Sequence, residues 1–335
     1  MIAAADAPIL DGTRCLIMGG GGFLGVHLAN ALARQGAVVR AFGRLPVDPQ
    51  DLDERVHWSS GRFEDPAAVA EAAQGQEIAF HLLSSSVPGS PGQSPTSDLE
   101  TNVLGTLRFL DICNTAAIRR VVFASSGGTV YGPAGSHPIP ETAATHPISA
   151  YGVGKLAIEK YLGLYHHLYG LEYVALRIAN AYGPRQSVLK RQGVVAAMLD
   201  HALSGKPLEI WGNGEVIRDF IHIDDVASAF LWAATYDGSH RVMNVGSGIG
   251  LSINQVASDI QAVTGIADLP RHYRAGRTAD VPANILDISL ITQETPWRPR
   301  RGWIDGLQNT AQWMAAKRRI PLSSASGHRN SAGAG

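Results

Sequence analysis

Cysteine is nearly missing: Cys15 and Cys113 are the only two in 335 residues, and neither stands at metal-ligand spacing. A disulfide framework and a thiolate metal centre are therefore excluded as organising principles, and a reducing, cytoplasmic setting is the expectation. No run of eighteen apolar residues occurs, and Met1 to Pro8 lack a basic stretch leading into an apolar one. Neither a membrane span nor a secretory leader is expected. An excess of one charge is lacking too, since 28 Lys and Arg face 29 Asp and Glu for a formal net charge of -1. That balance argues against nucleic acid as a partner, although it leaves room for a local basic pocket that takes a diphosphate. The twelve histidines, among them His166, His167 and His222, follow no metal-binding spacing and read as ordinary polar or core residues.

What is present is rhythm. Short apolar runs, Arg14–Met18, Ala37–Phe42, Ile78–Leu82, Arg120–Ala124 and Tyr173–Ile178, alternate with helical patterns over Phe23–Gln35, Pro66–Gln74, Asp98–Ala116 and Ala150–Tyr169. This alternation predicts successive βαβ units and an α/β fold, a Rossmann-type doubly wound parallel sheet. After about Gly183 the pattern changes to isolated strands such as Leu208–Trp211 and to loops rich in Arg, Asp and Gly. The expected organisation is a dinucleotide-binding domain over 12–183 that receives strands from the later chain, and a smaller substrate-binding lobe over 184–320. The Ser, Gly and Ala tail over 321–335 cannot bury enough apolar surface to offset its ordering entropy, so disorder is expected there.

The first strand runs straight into Gly19-Gly20-Gly21-Gly22-Phe23-Leu24-Gly25, a G-x-x-G-x-x-G turn followed by a helix. Glycines let the backbone turn tightly and approach a pyrophosphate, whose charge then meets the unpaired N–H groups of the helix start. A glycine motif alone is weak. Here the strand before it, the helix after it and the second strand beyond make it a dinucleotide site. That second strand ends in Gly43-Arg44, with no acidic residue to hold the adenosine ribose hydroxyls. Arg44 suits a 2′-phosphate and so keeps NADP beside NAD as a cofactor; equally, it reads as a solvated loop charge.

Ser149-Ala150-Tyr151-Gly152-Val153-Gly154-Lys155 opens an amphipathic helix in which Tyr151 and Lys155, four apart, share one face. An ammonium beside a phenol stabilises phenolate, which predicts a phenol pKa lowered toward the range of a general base. Gly152 and Gly154 should each cost the helix about 1 kcal/mol relative to Ala, and close approach by a cofactor is the expected compensation.

Several motifs in order then carry a resemblance: Gly19-x-x-Gly22-x-x-Gly25, Asn102 within Thr101-Asn102-Val103-Leu104-Gly105-Thr106, Ser125-Ser126-Gly127-Gly128-Thr129-Val130-Tyr131-Gly132, Tyr151-x-x-x-Lys155, Arg177-Ile178-Ala179-Asn180, and Arg218-Asp219-Phe220-Ile221-His222. From about Arg14 to Asp287 the chain resembles the extended short-chain dehydrogenase/reductase family in its NAD-dependent epimerase/dehydratase branch, and within it the nucleotide-sugar epimerases of the UDP-galactose (UDP-glucose) 4-epimerase type. The resemblance implies that Tyr151 is the acid/base and that Lys155 binds the nicotinamide ribose. It further implies a hydroxyl beside the substrate oxygen. Counting back from Val130-Tyr131-Gly132 puts Gly127 at that place, so Ser126 is favoured, with Ser125 and Thr129 as substitutes. Backbone capping in a turn is the plainer account of these hydroxyls.

The cofactor is thus expected along Gly19, Gly22, Phe23, Leu24, Gly25, Gly43, Arg44, Arg62, Leu83, Asn102 and Ser125, with Tyr151 and Lys155 at its reactive end. Arg62 stands where relatives often carry an adenine-binding Asp. The resemblance assigns the substrate to Ser126, Thr129, Asn180, Val194, Trp211, Arg218, Arg277, Asp280 and Asn284. In it Asn180, Arg218 and Arg277 hold the diphosphate, Asp280 the ribose, and Asn284 limits the room beside the sugar C2 substituent. Relatives that eliminate water resemble a Thr-Asp-Glu-Val-Tyr-Gly pattern where this chain has Gly127-Gly128-Thr129, so simple 4-epimerisation is favoured over dehydration.

The implied function is a 4-epimerase interconverting UDP-hexoses, plain, N-acetylated or uronic, through a 4-keto intermediate with bound NAD, in a cytoplasmic homodimer that supplies polysaccharide or glycolipid synthesis. An NADP-dependent 4-ketosugar reductase is the alternative, motivated by Gly43-Arg44 and Arg62. A nonenzymatic dinucleotide-binding sensor or scaffold is the alternative from another class, and the intact Tyr151 and Lys155 weigh against it.

Overall fold

The computed structural model describes residues 7–44, 51–85, 94–187, 193–276 and 281–320. Arg277, Asp280 and the tail over 321–335 lie outside the described residues. In the first half, β1 (Arg14–Met18), β2 (Val38–Gly43), β3 (His57–Ser60), β4 (Ile78–His81), β5 (Arg120–Ser126) and β6 (Glu172–Ile178) alternate with helices. Those helices are α1 (Phe23–Arg34), α2 (Pro66–Ala73), α3 (Pro95–Asp98), α4 (Gly105–Thr115) and α5 (Ala150–Tyr169). The second half contributes β7 (Asn180–Tyr182), β8 (Leu208–Trp211), β9 (Ile217–His222), β10 (Val242–Val245), β11 (Gly250–Ser252), β12 (Arg271–Arg274) and β13 (Ala283–Asn284). Its helices are α6 (Val194–Leu203), α7 (Ile223–Thr235), α8 (Ile253–Thr264), α9 (Ser289–Glu294) and α10 (Trp303–Arg318).

Seven strands form one sheet in the order β3, β2, β1, β4, β5, β6, β10. Every pairing in it is parallel. A parallel sheet is covered on both faces, which is why its central strands read as unbroken apolar runs. In β1 the alternation divides cleanly: Cys15 and Ile17 face a core with Leu28 of α1 and Phe230 of α7, whereas Leu16 and Met18 face Val69 of α2, Phe109 of α4 and Ile158 of α5. The strand order reverses between β1 and β4, and the crevice outside the carboxyl ends at that point is where an open α/β sheet takes its ligand.

Beyond the sheet, β9 pairs with β7, β11 and β13, and β8 pairs with β12. Helices α6, α8 and α10 close over a separate core through Leu199, Ile260 and Leu307.

The five expected strands form within two residues of their anticipated ends, and Leu208–Trp211 forms as anticipated. Two strands of the sheet were not located in the sequence, although strands returning from the later chain were expected. Strand β3 is a partly exposed edge with the unpatterned sequence His-Trp-Ser-Ser, and β10 enters the sheet from far along the chain beside β6. The helix anticipated over Asp98–Ala116 is also not uniform, because Leu99–Leu104 forms a π-helical stretch before α4 begins. Such bulges are frequent at functional sites, and this one carries Asn102.

Candidate functional site

The glycine turn follows β1 directly. Gly19 adopts φ +91°, and the N–H groups of Gly19 and Gly20 both donate to the Phe42 carbonyl at 3.0 Å, which fastens the turn to the end of β2. A Cβ on Gly25 would stand 2.3 Å from the Gly19 carbonyl oxygen, so this glycine is what lets α1 come so close to the turn. Gly22 is the N-cap of α1, with no side-chain cap and no acidic residue in the first turn. The first N–H groups of the helix thus point outward without a side-chain acceptor, the arrangement that fits a pyrophosphate.

On the β2 side, a cavity of about 130 Å³ is lined by Phe42, Gly43, Arg44, Leu83 and Asn102 among others. Gly43 abuts Trp58: a Cβ there would meet the indole at 3.2 Å. Arg44 is exposed. The Arg62 side chain is 72% exposed and pairs with Glu64 at 3.5 Å. Asn102 bridges two segments: its Oδ1 accepts from the Ser85 N–H at 2.8 Å and its Nδ2 donates to Asp98 at 2.9 Å.

At the other end, Ser149 caps α5 by accepting from the Gly152 N–H, which fixes where the helix starts and so which face bears Tyr151 and Lys155. Lys155 is buried, donates from Nζ to the Ala124 carbonyl at 2.8 Å, and stands 4.7 Å from the Phe123 ring centre and 5.6 Å from that of Tyr151. Ser126, at the end of β5, hydrogen-bonds to the Tyr151 hydroxyl. Tyr151, Lys155 and Ser126 are therefore brought together.

Two expectations about this helix are corrected. The phenol is not lowered toward the working range. Burial pushes Tyr151 up to about 12; the Ser126 hydrogen bond offsets part of that, and the Asp98 carboxylate adds to it. Lys155 is itself drawn down to about 8 by burial, against Asp98 and Glu159, which favour its charge. Desolvation penalises both charged forms and is the largest cause of each shift. Nor does a cofactor explain Gly152 and Gly154. A Cβ on Gly152 would stand 2.8 Å from the Thr129 carbonyl oxygen, and one on Gly154 would stand 3.0 Å from the Asp98 carboxylate. Protein atoms already fill those approaches.

The remaining hydroxyls differ from Ser126. Ser125 donates its Oγ proton to Glu159, and Glu159 in turn holds Arg177 at 2.7 and 3.0 Å. Arg177 continues to the Tyr131 hydroxyl at 3.0 Å, and that hydroxyl donates to Asn244 at 2.7 Å. Ser125 thus belongs to a buried network that ties α5 to β5, β6 and β10, with its hydroxyl proton engaged by Glu159. Thr129 keeps a buried Oγ1 with no hydrogen-bond partner among the described residues. At Gly127 a Cβ would meet Leu286 at 2.5 Å and the Arg177 carbonyl oxygen at 3.0 Å, so no hydroxyl could be carried there without moving Leu286.

In the second lobe, Asn180 donates to the Asp219 carbonyl at 3.0 Å, and Arg218 donates to the Ile217 and Val281 carbonyls at 2.8 Å each. Asn284 is buried beside Arg218 in register; its Nδ2 donates to the Gly127 carbonyl at 3.0 Å, which sets it one residue beyond Ser126. Val194 opens α6 behind Gly193, and Trp211 is 43% exposed at the end of β8.

A sequence model described as the NAD dependent epimerase/dehydratase family matches residues 15–246. The chain belongs to that family. It is 31% identical over 311 residues to a UDP-glucose 4-epimerase of Mycolicibacterium smegmatis, covering 91% of this chain and 99% of that one. To a dTDP-4-dehydro-6-deoxyglucose reductase of Escherichia coli it is 28% identical over 317 residues, covering 90% and 98%. The crystal structure of a UDP-glucose 4-epimerase with UDP-glucose from Thermotoga maritima superposes with a TM-score of 0.86 at 32% identity, covering 91% of this chain and 99% of that one.

This member of the NAD dependent epimerase/dehydratase family is thus an NAD-dependent enzyme with the Rossmann-type fold expected of it. Among its described residues no group of His, Cys, Asp and Glu could hold a metal ion, and no helix is long and apolar enough to cross a membrane. Sequence reasoning passed over Asp98 and Glu159. Each stands one helical turn from a residue that was singled out, Asp98 before Asn102 and Glu159 after Lys155, so the four-residue spacing could have found both.

Proposed function

We propose that the enzyme is a nucleotide-sugar 4-epimerase acting on a UDP-linked hexose. The observation that carries this reading is Tyr151, hydrogen-bonded to Ser126 and one turn from Lys155, at the carboxyl end of β5, where the following Gly127-Gly128-Thr129 supplies no carboxylate. One phenol can take the proton from a sugar hydroxyl and return it. A dehydration would also need an acid and a base for C5 and C6.

The glycine turn and the uncapped start of α1 would hold the cofactor's pyrophosphate, and the cavity at Gly43 and Asn102 its adenosine. Bound NAD would supply the hydride acceptor and donor, together with a cationic ring beside the phenol. Tyr151 accepts the O4 proton of the sugar as the C4–H bond breaks, and the Ser126 hydroxyl, donating to the phenol oxygen, favours its anionic form. Lys155 is held charged near neutral pH, since its pKa of about 8 lies above it, and it turns the local potential positive. The 4-keto sugar then presents its other face, and Tyr151 returns the proton to O4. Asn180 and Arg218, with Arg277 and Asp280, are the residues proposed to clamp the nucleotide during that turn, and Asn284 the one that limits the sugar.

The test is incubation with UDP-glucose and UDP-N-acetylglucosamine without added dinucleotide, with the C4 epimers read by NMR. Either epimer supports the reading. Net oxidation of NADPH with a 4-ketosugar, and no epimer, would replace it by the reductase reading, which Arg44 at the adenosine cavity and the reductase relative favour. A homodimer is proposed as well, on the exposed apolar residues Leu104, Val153, Leu164 and Leu168 of the helices around α4 and α5. Light scattering after gel filtration reads that state directly.

A further inference from the structure

A buried ammonium needs a carboxylate close by, or its desolvation makes it neutral. The hydrogen bond that Lys155 makes is to a neutral partner, the Ala124 carbonyl. Two carboxylates lie near. Glu159 is one turn further along α5, but its oxygens are already engaged by the Arg177 guanidinium at 2.7 and 3.0 Å and by the Ser125 hydroxyl. Asp98 is different. It is 3% exposed at the junction of α3 and the π-helical stretch, and it accepts a hydrogen bond from the neutral Asn102 amide at 2.9 Å. Its other oxygen stands 3.0 Å from where a Cβ of Gly154 would be, so it lies against the backbone of α5 between Tyr151 and Lys155. A Cβ there would crowd the carboxylate by a few tenths of an ångström.

We propose that Asp98 is the counter-ion of the Tyr151 and Lys155 pair, a positioning residue whose charge sets the protonation balance of that pair. The inference rests on the acid/base role proposed for Tyr151. The groups that face the pair are few. From β4, His81 is buried, hydrogen-bonded to Thr106, and drawn down to about 3 by burial and by Lys155, so it is neutral at working pH. From α5 itself Glu159 is neutralised by Arg177 of β6, and from β5 Ser126 is uncharged. Asp98 acts in the same sense on both members, favouring the ammonium of Lys155 and opposing the phenolate of Tyr151. It therefore keeps the cation in place while holding the phenol protonated until a substrate and a cationic ring arrive.

Asp98→Asn tests this, because it removes the charge and keeps an acceptor for Asn102. Protein with NAD bound, labelled with ¹³C at the tyrosine Cζ, is titrated by NMR, and the Tyr151 signal is identified by its absence in Tyr151→Phe. The expected result is a Tyr151 midpoint lower by about one pH unit in Asp98→Asn than in the wild type. An unchanged or higher midpoint, or a signal equally untitrated in both proteins over the accessible range, overturns the proposal. Asp98→Ser, smaller and also neutral, should give the same downward shift, so either variant decides if the other fails to fold. A purely structural Asp98 would lower stability and leave the midpoint where it was. The titration uses no sugar. Absence of epimerisation in the wild type would overturn the proposed function alone, whereas epimerisation with an unmoved midpoint would overturn this proposal alone.

Discussion

The two ends of the crevice proposed to take the cofactor are built differently. At one end Ser126 bonds Tyr151, Lys155 lies buried beside that ring, and Asp98 accepts from Asn102, and behind them Ser125, Glu159, Arg177 and Tyr131 form a second buried network. At the other end, beside β2, Arg44 is exposed, Arg62 is 72% exposed, and its ion pair with Glu64 spans 3.5 Å. Proton transfer requires groups fixed to within a fraction of an ångström, whereas an adenosine can be held by shape and a few contacts. Residues at the first end are thus constrained by one another, while those at the second are freer to vary.

That contrast would break if substitutions at the two ends had similar effects. The largest is expected from Tyr151→Phe, which should reduce kcat by about 10²- to 10⁴-fold in an epimerisation assay while leaving the thermal midpoint and NAD content unchanged. Glu159→Gln comes next. It leaves the buried Arg177 charge without its partner and should cost about 3–5 kcal/mol, read from denaturant midpoints.

Gly25→Ala, whose Cβ would collide with the Gly19 carbonyl, should cost about 1–3 kcal/mol and weaken NAD binding, measured by calorimetry. The pH profile sharpens the picture further. With Lys155 drawn down to about 8, its charge is present below that pH and lost above it, so kcat/KM should fall by up to about tenfold per pH unit on the alkaline side. The smallest effect is expected at the adenosine end: Arg44→Ala should change the Kd for NAD by less than about tenfold, consistent with an exposed charge.

Most of the sheet could be read from sequence because strands buried on both faces announce themselves as apolar runs, as β1 and β5 do. Strand β3 could not, since an edge strand of His, Trp and two Ser has no period to detect, and β10 could not, since its neighbour β6 lies more than sixty residues earlier. The glycine turn and the Tyr151 and Lys155 spacing were legible for a related reason: each is local, one turn of chain or one turn of helix. The protonation balance of the pair was not. It depends on how deeply α5 is buried and on Asp98, which a separate helix brings against Gly154. Gly152 and Gly154 were misread on the same account, because the atoms that require them, the Thr129 carbonyl and the Asp98 carboxylate, come from elsewhere in the chain.

The tight seat of Gly127 limits how this catalyst could be redesigned. Grafting the acidic triplet of a water-eliminating relative onto positions 127 to 129 begins with a threonine whose first side-chain carbon would overlap Leu286 and the Arg177 carbonyl. Conversion to another reaction class would therefore have to start by carving space at Leu286, on a different segment of the chain, before any new carboxylate could be useful.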